Sequence, residues 1–336
     1  MIDKITAEDF NEVLQKWFRA HGRILPWRSN PTPYAVLVSE FMLQQTTVAA
    51  VKPFFQRWMK RFPDVAFLAS APEEEVLKHW EGLGYYSRAR NLHCAAQAIV
   101  SQFGGVIPSD LELLRALPGV GPYTASAVAA FAFDQPVPVL DANIQRVITR
   151  LFDFQESITT SAGKKFLDQA AASLLPKTGG RHHASALMDL GATICRAGQP
   201  DCVSCPVSCF CQAKEPATLP LKPAKKAVTQ TEDCRAYCVQ RGRIFLIQSP
   251  GPVWRGLWIL PPAAPSEHTL CKIRYAITRY KVDLHLVSTA PEPTWKSFPM
   301  DDPPPMPSPH RKAIAAVFLQ KNELSSGSAS DTSAAA

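Results

Sequence analysis

Four cysteines constrain this chain more than any other feature: Cys195, Cys202, Cys205 and Cys211 follow one another with spacers of six, two and five residues. Thiolates gathered this closely, in a loop with no apolar run of its own, are enough for a tetrahedral zinc site or for a cubane iron–sulfur cluster, and either would fix the loop. Cys209 lies inside the same stretch and offers an alternative ligand through its Cys-x3-Cys spacing from Cys205. Nine cysteines in a chain without a secretory signal point to metal or redox chemistry rather than to a disulfide framework. The start, MIDKITAEDFNEVLQKWF, has no signal-peptide apolar region, and the longest uninterrupted apolar run, residues 127–133, is far short of the roughly 20 residues of a membrane span. A soluble, cytoplasmic chain with no membrane partner is the expectation.

At 336 residues the chain is longer than one average domain and a natural length for two. Its net charge of +7 is uneven: residues 1–211 hold 20 Lys+Arg against 19 Asp+Glu, and the remainder 16 against 10. This permits nucleic-acid binding without requiring it. Residues 1–211 read as helix after helix. Thr32-Pro33 supplies an N-cap and first-position pair before an apolar run, and helical patterns recur at 73–80, 87–103, 109–116, 122–133, 143–152, 161–175 and 183–195, separated by Gly or Pro turns. An all-α domain with a cysteine loop at 195–211 is therefore predicted. Residues 212–233 carry three prolines and four lysines, Lys214, Lys222, Lys225 and Lys226, and read as a basic, extended linker. Beyond it CRAYCVQ, Arg241-Gly242 and RIFLIQ form a hairpin pattern, KIRYAITRYKVDLHLVST alternates in part, and a helix is expected at 309–321. A smaller α+β domain over 234–322 and a disordered Ser/Ala tail over 323–336 follow from this.

Three local patterns carry chemistry. In LPGVGPYTASAV, Gly119 and Gly121 make a Gly-x-Gly turn ahead of a helix with proline at its first position, so backbone N–H groups are free to meet a phosphate; an ordinary tight helix–helix turn is the plainer reading. In VPVLDANIQRVITRLF, Asp141 and Asn143 open an amphipathic helix, where Asp141 is either a simple N-cap or a carboxylate presented beside the turn. Glu40 stands in SEFMLQQT among Phe41, Met42 and Leu43, where partial burial would raise its pKa.

Taken together, LPGVGPYTAS, LDANIQRV, SEFMLQQT, LPWR (25–28), GLGYYSRARNL (82–92) and the cysteine spacing resemble the helix–hairpin–helix DNA glycosylases, and most closely the MutY-type adenine DNA glycosylases, over about residues 5–211. The resemblance implies that Cys195, Cys202, Cys205 and Cys211 hold a [4Fe–4S] cluster, with zinc as the runner-up. It implies that Glu40 protonates adenine, that Asp141 stabilises the sugar cation, and that Tyr123 and Asn143 position groups at the reacting sugar. Gln45 and Tyr85 would intrude into the base stack, and the turn at Gly119 and Gly121 would grip the backbone. Such a set suits the reaction, because an N-glycosidic bond breaks through an oxocarbenium-like transition state that needs an acid at the leaving base and an anion at the sugar.

Related glycosylase/lyases such as endonuclease III carry a lysine where this chain has Tyr123, so the resemblance implies a monofunctional glycosylase. The C-terminal half is similar, more thinly, to the family's Nudix-like domain through Trp254-Arg-Gly-Leu-Trp258 and Pro261. No REx2EE box is present there. The family's Phe-Ser-His recognition loop would fall on Ile277-Thr278-Arg279, which makes Thr278 and Arg279 the candidate contacts to the lesion. The expected partner is double-stranded DNA with adenine opposite 8-oxoguanine or guanine, bound by a monomer. The competing expectation is a non-catalytic iron–sulfur protein that uses the turn for DNA binding alone.

Overall fold

The computed structural model describes residues 6–223, 227–251 and 253–327. The chain divides into two compact units: Met1–Ala71 with Arg88–Ala224, and Pro72–Ser87 with Lys225–Ala336.

The first unit is helical. It contains α1 (Ala7–His21), α2 (Pro26–Ser29), α3 (Pro33–Leu43), α4 (Val48–Arg61) and α5 (Val65–Ser70). After α6 (Glu73–Trp80), which belongs to the second unit, follow α7 (Ser87–Phe103), α8 (Leu111–Ala116), α9 (Pro122–Phe133), α10 (Ala142–Leu151), α11 (Ser161–Ser173) and α12 (Gly180–Thr193). Local chemistry sets the starts. Thr6, Thr32, Thr47, Asp64, Asp110, Asp141 and Thr160 each accept a backbone N–H of the first turn, relieving donors that have no intrahelical partner. Helix α3 is apolar on every side and is buried from Tyr34 to Met42, which makes it the central rod against which α4 and α9 pack.

The turn between α8 and α9 depends on two glycines for different reasons. Gly119 has φ +72°, and a Cβ there would lie 2.4 Å from the Asn91 Cβ of α7. Gly121 has extended backbone, caps α9 without a side-chain hydrogen bond and faces open space. The first-turn N–H groups of α9 therefore point outward without a side-chain cap.

The second unit holds α6, β1 (Thr229–Tyr237), β2 (Val239–Gln240), β3 (Arg243–Gln248), β4 (Trp258–Ile259), β5 (Cys271–Ile277), β6 (Tyr280–Ser288), β7 (Lys296–Pro299) and α13 (Ser308–Gly327). One sheet has the order β1-β6-β5, with β1 parallel and β5 antiparallel to β6; the other runs β2-β3-β4 with β7 also on β3. Ile244, Leu246, Leu284, Leu286, Ile314 and Val317 are among the core residues that join the sheets to α13. Residues 72–87 are part of this unit through specific bonds: Tyr86 Oη donates to Met306 O (2.9 Å), Arg311 Nη2 to Glu81 Oε2 (2.8 Å) and Lys78 Nζ to Asp302 Oδ1 (2.6 Å).

Three details differ from the sequence reading. Strand β1 starts at Thr229, inside the stretch read as linker, because Thr229 to Asp233 pair in parallel with Tyr280 to Leu284; Lys225 and Lys226 lie outside the described residues. CRAYCVQ is divided between two sheets, and only Val239 and Gln240 form the hairpin with β3 around Arg241-Gly242. Helix α13 continues to Gly327, since no glycine or proline interrupts Lys321–Ser326, so it takes in the start of the stretch read as a disordered tail; residues 328–336 lie outside the described ones. Among the described residues no helix is long and apolar enough to cross a membrane.

The two turn glycines give a paired test. Gly119→Ala adds a left-handed backbone penalty to a steric clash and should destabilise the protein by about 2–4 kcal/mol. Gly121→Ala should stay within about 0.5 kcal/mol of the parent in denaturant unfolding. Equal effects would mean that the turn is not shaped by contact with α7.

Candidate active site

The site begins with a carboxyl where the sequence least favours one. Glu40 sits near the end of α3, only 4% exposed, between apolar neighbours. Tyr123, at the first turn of α9, donates its hydroxyl to Glu40 Oε2 at 3.0 Å. Burial pushes the Glu40 carboxyl up to about 7; the Tyr123 hydrogen bond and the Arg28 charge oppose the shift, and the Asp141 charge adds to it. Tyr123 itself is raised well above its ordinary value, first by burial and then by the Glu40 charge, so it stays a neutral donor.

Asp141 precedes α10 and does two things at once. Its Oδ1 accepts Ile144 N at 2.7 Å, the bond of an N-cap, and its Oδ2 accepts Asn143 Nδ2 at 2.9 Å. Its pKa is raised by burial, while the Ile144 and Asn143 hydrogen bonds hold it down. Glu40, Tyr123, Asp141, Asn143 and Gln45 all line one cavity of about 960 Å3, with Trp27 and Arg28 on its wall. The capping reading and the cavity reading of Asp141 are thus both true of the same side chain.

The remaining candidates occupy other places. Gly119 and Gly121 form the α8–α9 turn. Gln45 is exposed with φ +57°, just after α3. Tyr85, exposed with φ +49°, belongs to the second unit, as do Thr278 (φ +52°) and Arg279. Thr278 and Arg279 are the two residues of the β5–β6 turn, since Ile277 pairs with Tyr280. Arg279 Nη2 donates to Tyr280 Oη at 3.1 Å, and its guanidinium lies over that ring.

The cysteines follow α12. Cys205 is pushed up to about 11, first by burial and then by the charges of Cys195, Cys211 and Cys202; Cys211 is raised in the same way. The four thiols therefore share one electrostatic neighbourhood. Arg150 Nη1 lies 3.3 Å from Cys195 Sγ, a cation suited to a thiolate. Among the described residues, no three His, Cys, Asp or Glu side chains are drawn together as a single metal ion would need. Cys209 is exposed in the short 3-10 turn at Ser208–Phe210.

Several arginines that brace the site escaped the sequence reading. Asp189 of α12, fully buried, receives Arg28 through both Nη atoms (2.9 and 3.0 Å) and Arg23 through Nε and the backbone N (both 2.8 Å). Arg28 is thereby held at the cavity wall with its charge compensated. Arg146 of α10 joins Asn143 Oδ1 (2.9 Å), Gly191 O (2.6 Å) and Cys195 O (2.8 Å). Arg28 and Arg88 lie inside the motifs LPWR and GLGYYSRARNL, which was the available signal; Asp189 offered none beyond an acid in an apolar stretch.

A helical unit with a Gly-x-Gly turn before a helix and two carboxyls at one cavity, Glu40 buried and Asp141 half-buried, has the build of a base-excising DNA repair fold. The chain matches the HhH-GPD superfamily base excision DNA repair protein family over residues 38–172. It is 44% identical over 196 residues to an adenine DNA glycosylase of Mycolicibacterium smegmatis, covering 58% of this chain and 66% of that one. It is 31% identical over 271 residues to an adenine DNA glycosylase of Buchnera aphidicola, covering 79% and 77%. A solved thermostable thymine-DNA glycosylase aligns with a TM-score of 0.57 at 29% identity over 62% of this chain and 97% of the other. The chain spans about two fifths of the length of the rodent relatives that it also matches. It belongs to the HhH-GPD superfamily and, within it, to the adenine DNA glycosylases.

The raised Glu40 pKa sets a pH test of stability. Below about 4.5 folded and unfolded chains both hold the proton; between about 4.5 and 7 the unfolded chain releases it and the folded chain keeps it, so stability falls as pH rises. The loss is up to about 1.4 kcal/mol per pH unit, about 3 kcal/mol in all. Glu40→Gln lacks this term and should gain on the parent through that window, then stay ahead by a constant margin. Denaturant unfolding of both proteins at a series of pH values checks this, and parallel curves would show that Glu40 titrates normally.

Proposed function

We propose that this chain removes adenine from double-stranded DNA where it is paired with 8-oxoguanine or guanine, as a monofunctional glycosylase. The observation that carries the reading is the protonatable Glu40 carboxyl, hydrogen-bonded by Tyr123 and sharing a cavity with Asp141. With a pKa near 7, Glu40 holds a proton that it can give to the leaving base. The bond from sugar to base breaks with its electron pair leaving on adenine, the Glu40 proton neutralises that base, and the Asp141 carboxylate faces the cationic sugar until water adds and loses a proton. Asn143, bonded to both Asp141 and Arg146, fixes the carboxylate in place. Among the residues lining the cavity there is no lysine, which supports a reaction without a Schiff base.

The Gly119–Gly121 turn would hold a DNA phosphate, and Gln45 and Tyr85 would fill the stack when adenine leaves it. Cys195, Cys202, Cys205 and Cys211 would hold a [4Fe–4S] cluster, which when bound supplies a rigid, charged anchor for the loop. In the second unit, of Nudix-like type in this reading, Thr278 and Arg279 would meet the base opposite adenine. In this reading the protein works on DNA as a monomer in the cytoplasm.

Alkali-induced nicking of duplexes with A opposite 8-oxoguanine, G or C tests the activity. The first two should be cut, and Glu40→Gln should lose about 10²–10⁴ in rate while still binding. Borohydride should trap little covalent adduct. Binding without cutting by the parent would favour the non-catalytic alternative.

For the cluster, Cys211→Ser should lose iron and visible absorbance in anaerobically purified protein, and Cys209→Ser should keep both. Zinc in place of iron would overturn the assignment.

For the opposite base, Arg279→Ala should reduce the preference for 8-oxoguanine over guanine. A uniform weakening on every duplex, with a shallower salt dependence, would instead make Arg279 a phosphate contact.

A further inference from the structure

Helix α3 ends at Leu43, and the last carbonyls of any helix lack intrahelical donors. Here they are met by a side chain from another helix. Arg88, in the first turn of α7 and only 6% exposed, donates Nη1 to Phe41 O (3.0 Å), to Met42 O (2.8 Å) and to Gln44 O, and Nη2 to Thr46 Oγ1 (3.1 Å). The guanidinium thus grips both residues that flank Gln45. Gln45 is not a glycine yet has φ +57°, a conformation costing a non-glycine residue roughly 1–2 kcal/mol, and its side chain is exposed beside the cavity. The turn is held from a second side as well, where Gln44 Nε2 donates to Thr124 Oγ1 on α9 at 3.3 Å.

We infer that Arg88 is a positioning residue for base extrusion: it locks the Gln44–Thr46 turn so that Gln45 is presented in its left-handed conformation before DNA arrives. Arginine is the residue fitted to this. It stays charged at any working pH, and its planar fork reaches several acceptors in fixed directions, which a lysine ammonium cannot do. Preforming the turn moves the cost of the strained backbone into folding, away from the moment when the adenine must be unstacked. Because the same guanidinium caps the helix that carries Glu40, a purely structural role would affect every substrate alike, whereas a role in extrusion affects only substrates whose adenine must be forced out.

This inference rests on the proposed adenine excision, and the experiment separates the two. The full-length Arg88→Lys variant is compared with the parent on two duplexes, one with adenine opposite guanine and one with adenine opposite an abasic site, where no pairing resists extrusion. The expected result is a loss of about 10- to 100-fold in single-turnover rate on the paired substrate, with the unpaired one cut nearly as fast as by the parent. In parallel, 2-aminopurine placed at the adenine position should brighten less on binding to the variant than to the parent, a readout that needs no cleavage. Thr46→Val, which removes only the Nη2 acceptor, should show a smaller change of the same kind, and it decides the matter if Arg88→Lys does not fold. Equal losses on both duplexes with unchanged 2-aminopurine brightening would overturn the inference and leave Arg88 as a helix cap. If the parent cuts neither duplex, the proposed activity fails, and the 2-aminopurine comparison alone judges Arg88.

Discussion

The structure of the first unit turns on one unfavourable act, the burial of the Glu40 carboxyl inside an apolar helix. A charged carboxylate there would be costly, so the group keeps its proton to about pH 7 and remains a donor. Asp141 lines the same cavity, half-buried, but stands at the start of α10, where the N–H of Ile144 and the amide of Asn143 favour its charged form. Two chemically similar groups are thus set to different tasks by position, one on the body of a helix and one at the mouth of another. Tyr123 tempers the difference: its hydroxyl, held neutral by burial, donates to Glu40 and draws that carboxyl part of the way back down, so it is chiefly burial that keeps Glu40 raised.

Buried arginines then make this arrangement stiff. Helix α10 presents Asp141 and Asn143 at one end, and one and two turns further on its Arg146 and Arg150 hold the cysteine loop: Arg146 through Cys195 O, Arg150 through Cys195 Sγ, Arg196 O (2.8 Å) and Gly198 O (3.2 Å). A displacement of the loop would therefore be felt at Asn143, because Arg146 is bonded to both. Gly191 allows this closeness, since a Cβ there would lie 2.7 Å from the Asn143 Cβ. The anchor that a cluster would give the loop is accordingly an anchor for the residues facing the sugar, although no step of the chemistry passes through it.

What could be read in the sequence was local. Apolar periodicity and the Gly and Pro turns between helices are local, so α6, α7 and α9 begin and end where the pattern put them, and the Gly-x-Gly turn appears as expected. The cavity was legible as a set of residue types, Glu40, Tyr123, Asp141 and Asn143, while their meeting was implied only by the family resemblance, because nothing in α3, α9 and α10 taken singly says that they converge. The arginines' long-range partners were invisible for the same reason: Arg28 meets the Asp189 carboxylate across 161 positions, and Arg88 meets the Met42 carbonyl across 46. Strand β1 was misjudged because Thr229 to Glu232 are exposed and polar; they are strand only because β6 lies alongside in parallel register.

The division of the chain adds a constraint that composition could not show. Residues 72–87 lie within the sequence of the helical unit yet belong to the second one, tied there by Tyr86 to Met306, by Glu81 to Arg311 and by Lys78 to Asp302. No single cut therefore separates the units. The membership has a consequence for recognition under the proposed function. Thr278 and Arg279, the residues assigned to the base opposite adenine, and Tyr85, assigned with Gln45 to the base stack, are in the second unit, whereas Glu40, Tyr123, Asp141, Asn143 and Gln45 are all in the first. Three of the exposed residues to which the proposed function gives a place on DNA, Gln45, Tyr85 and Thr278, have left-handed backbones despite carrying side chains. Strain of that kind persists only where neighbouring structure enforces it, and its presence in both units places pre-organisation ahead of adaptation in how the DNA would be met.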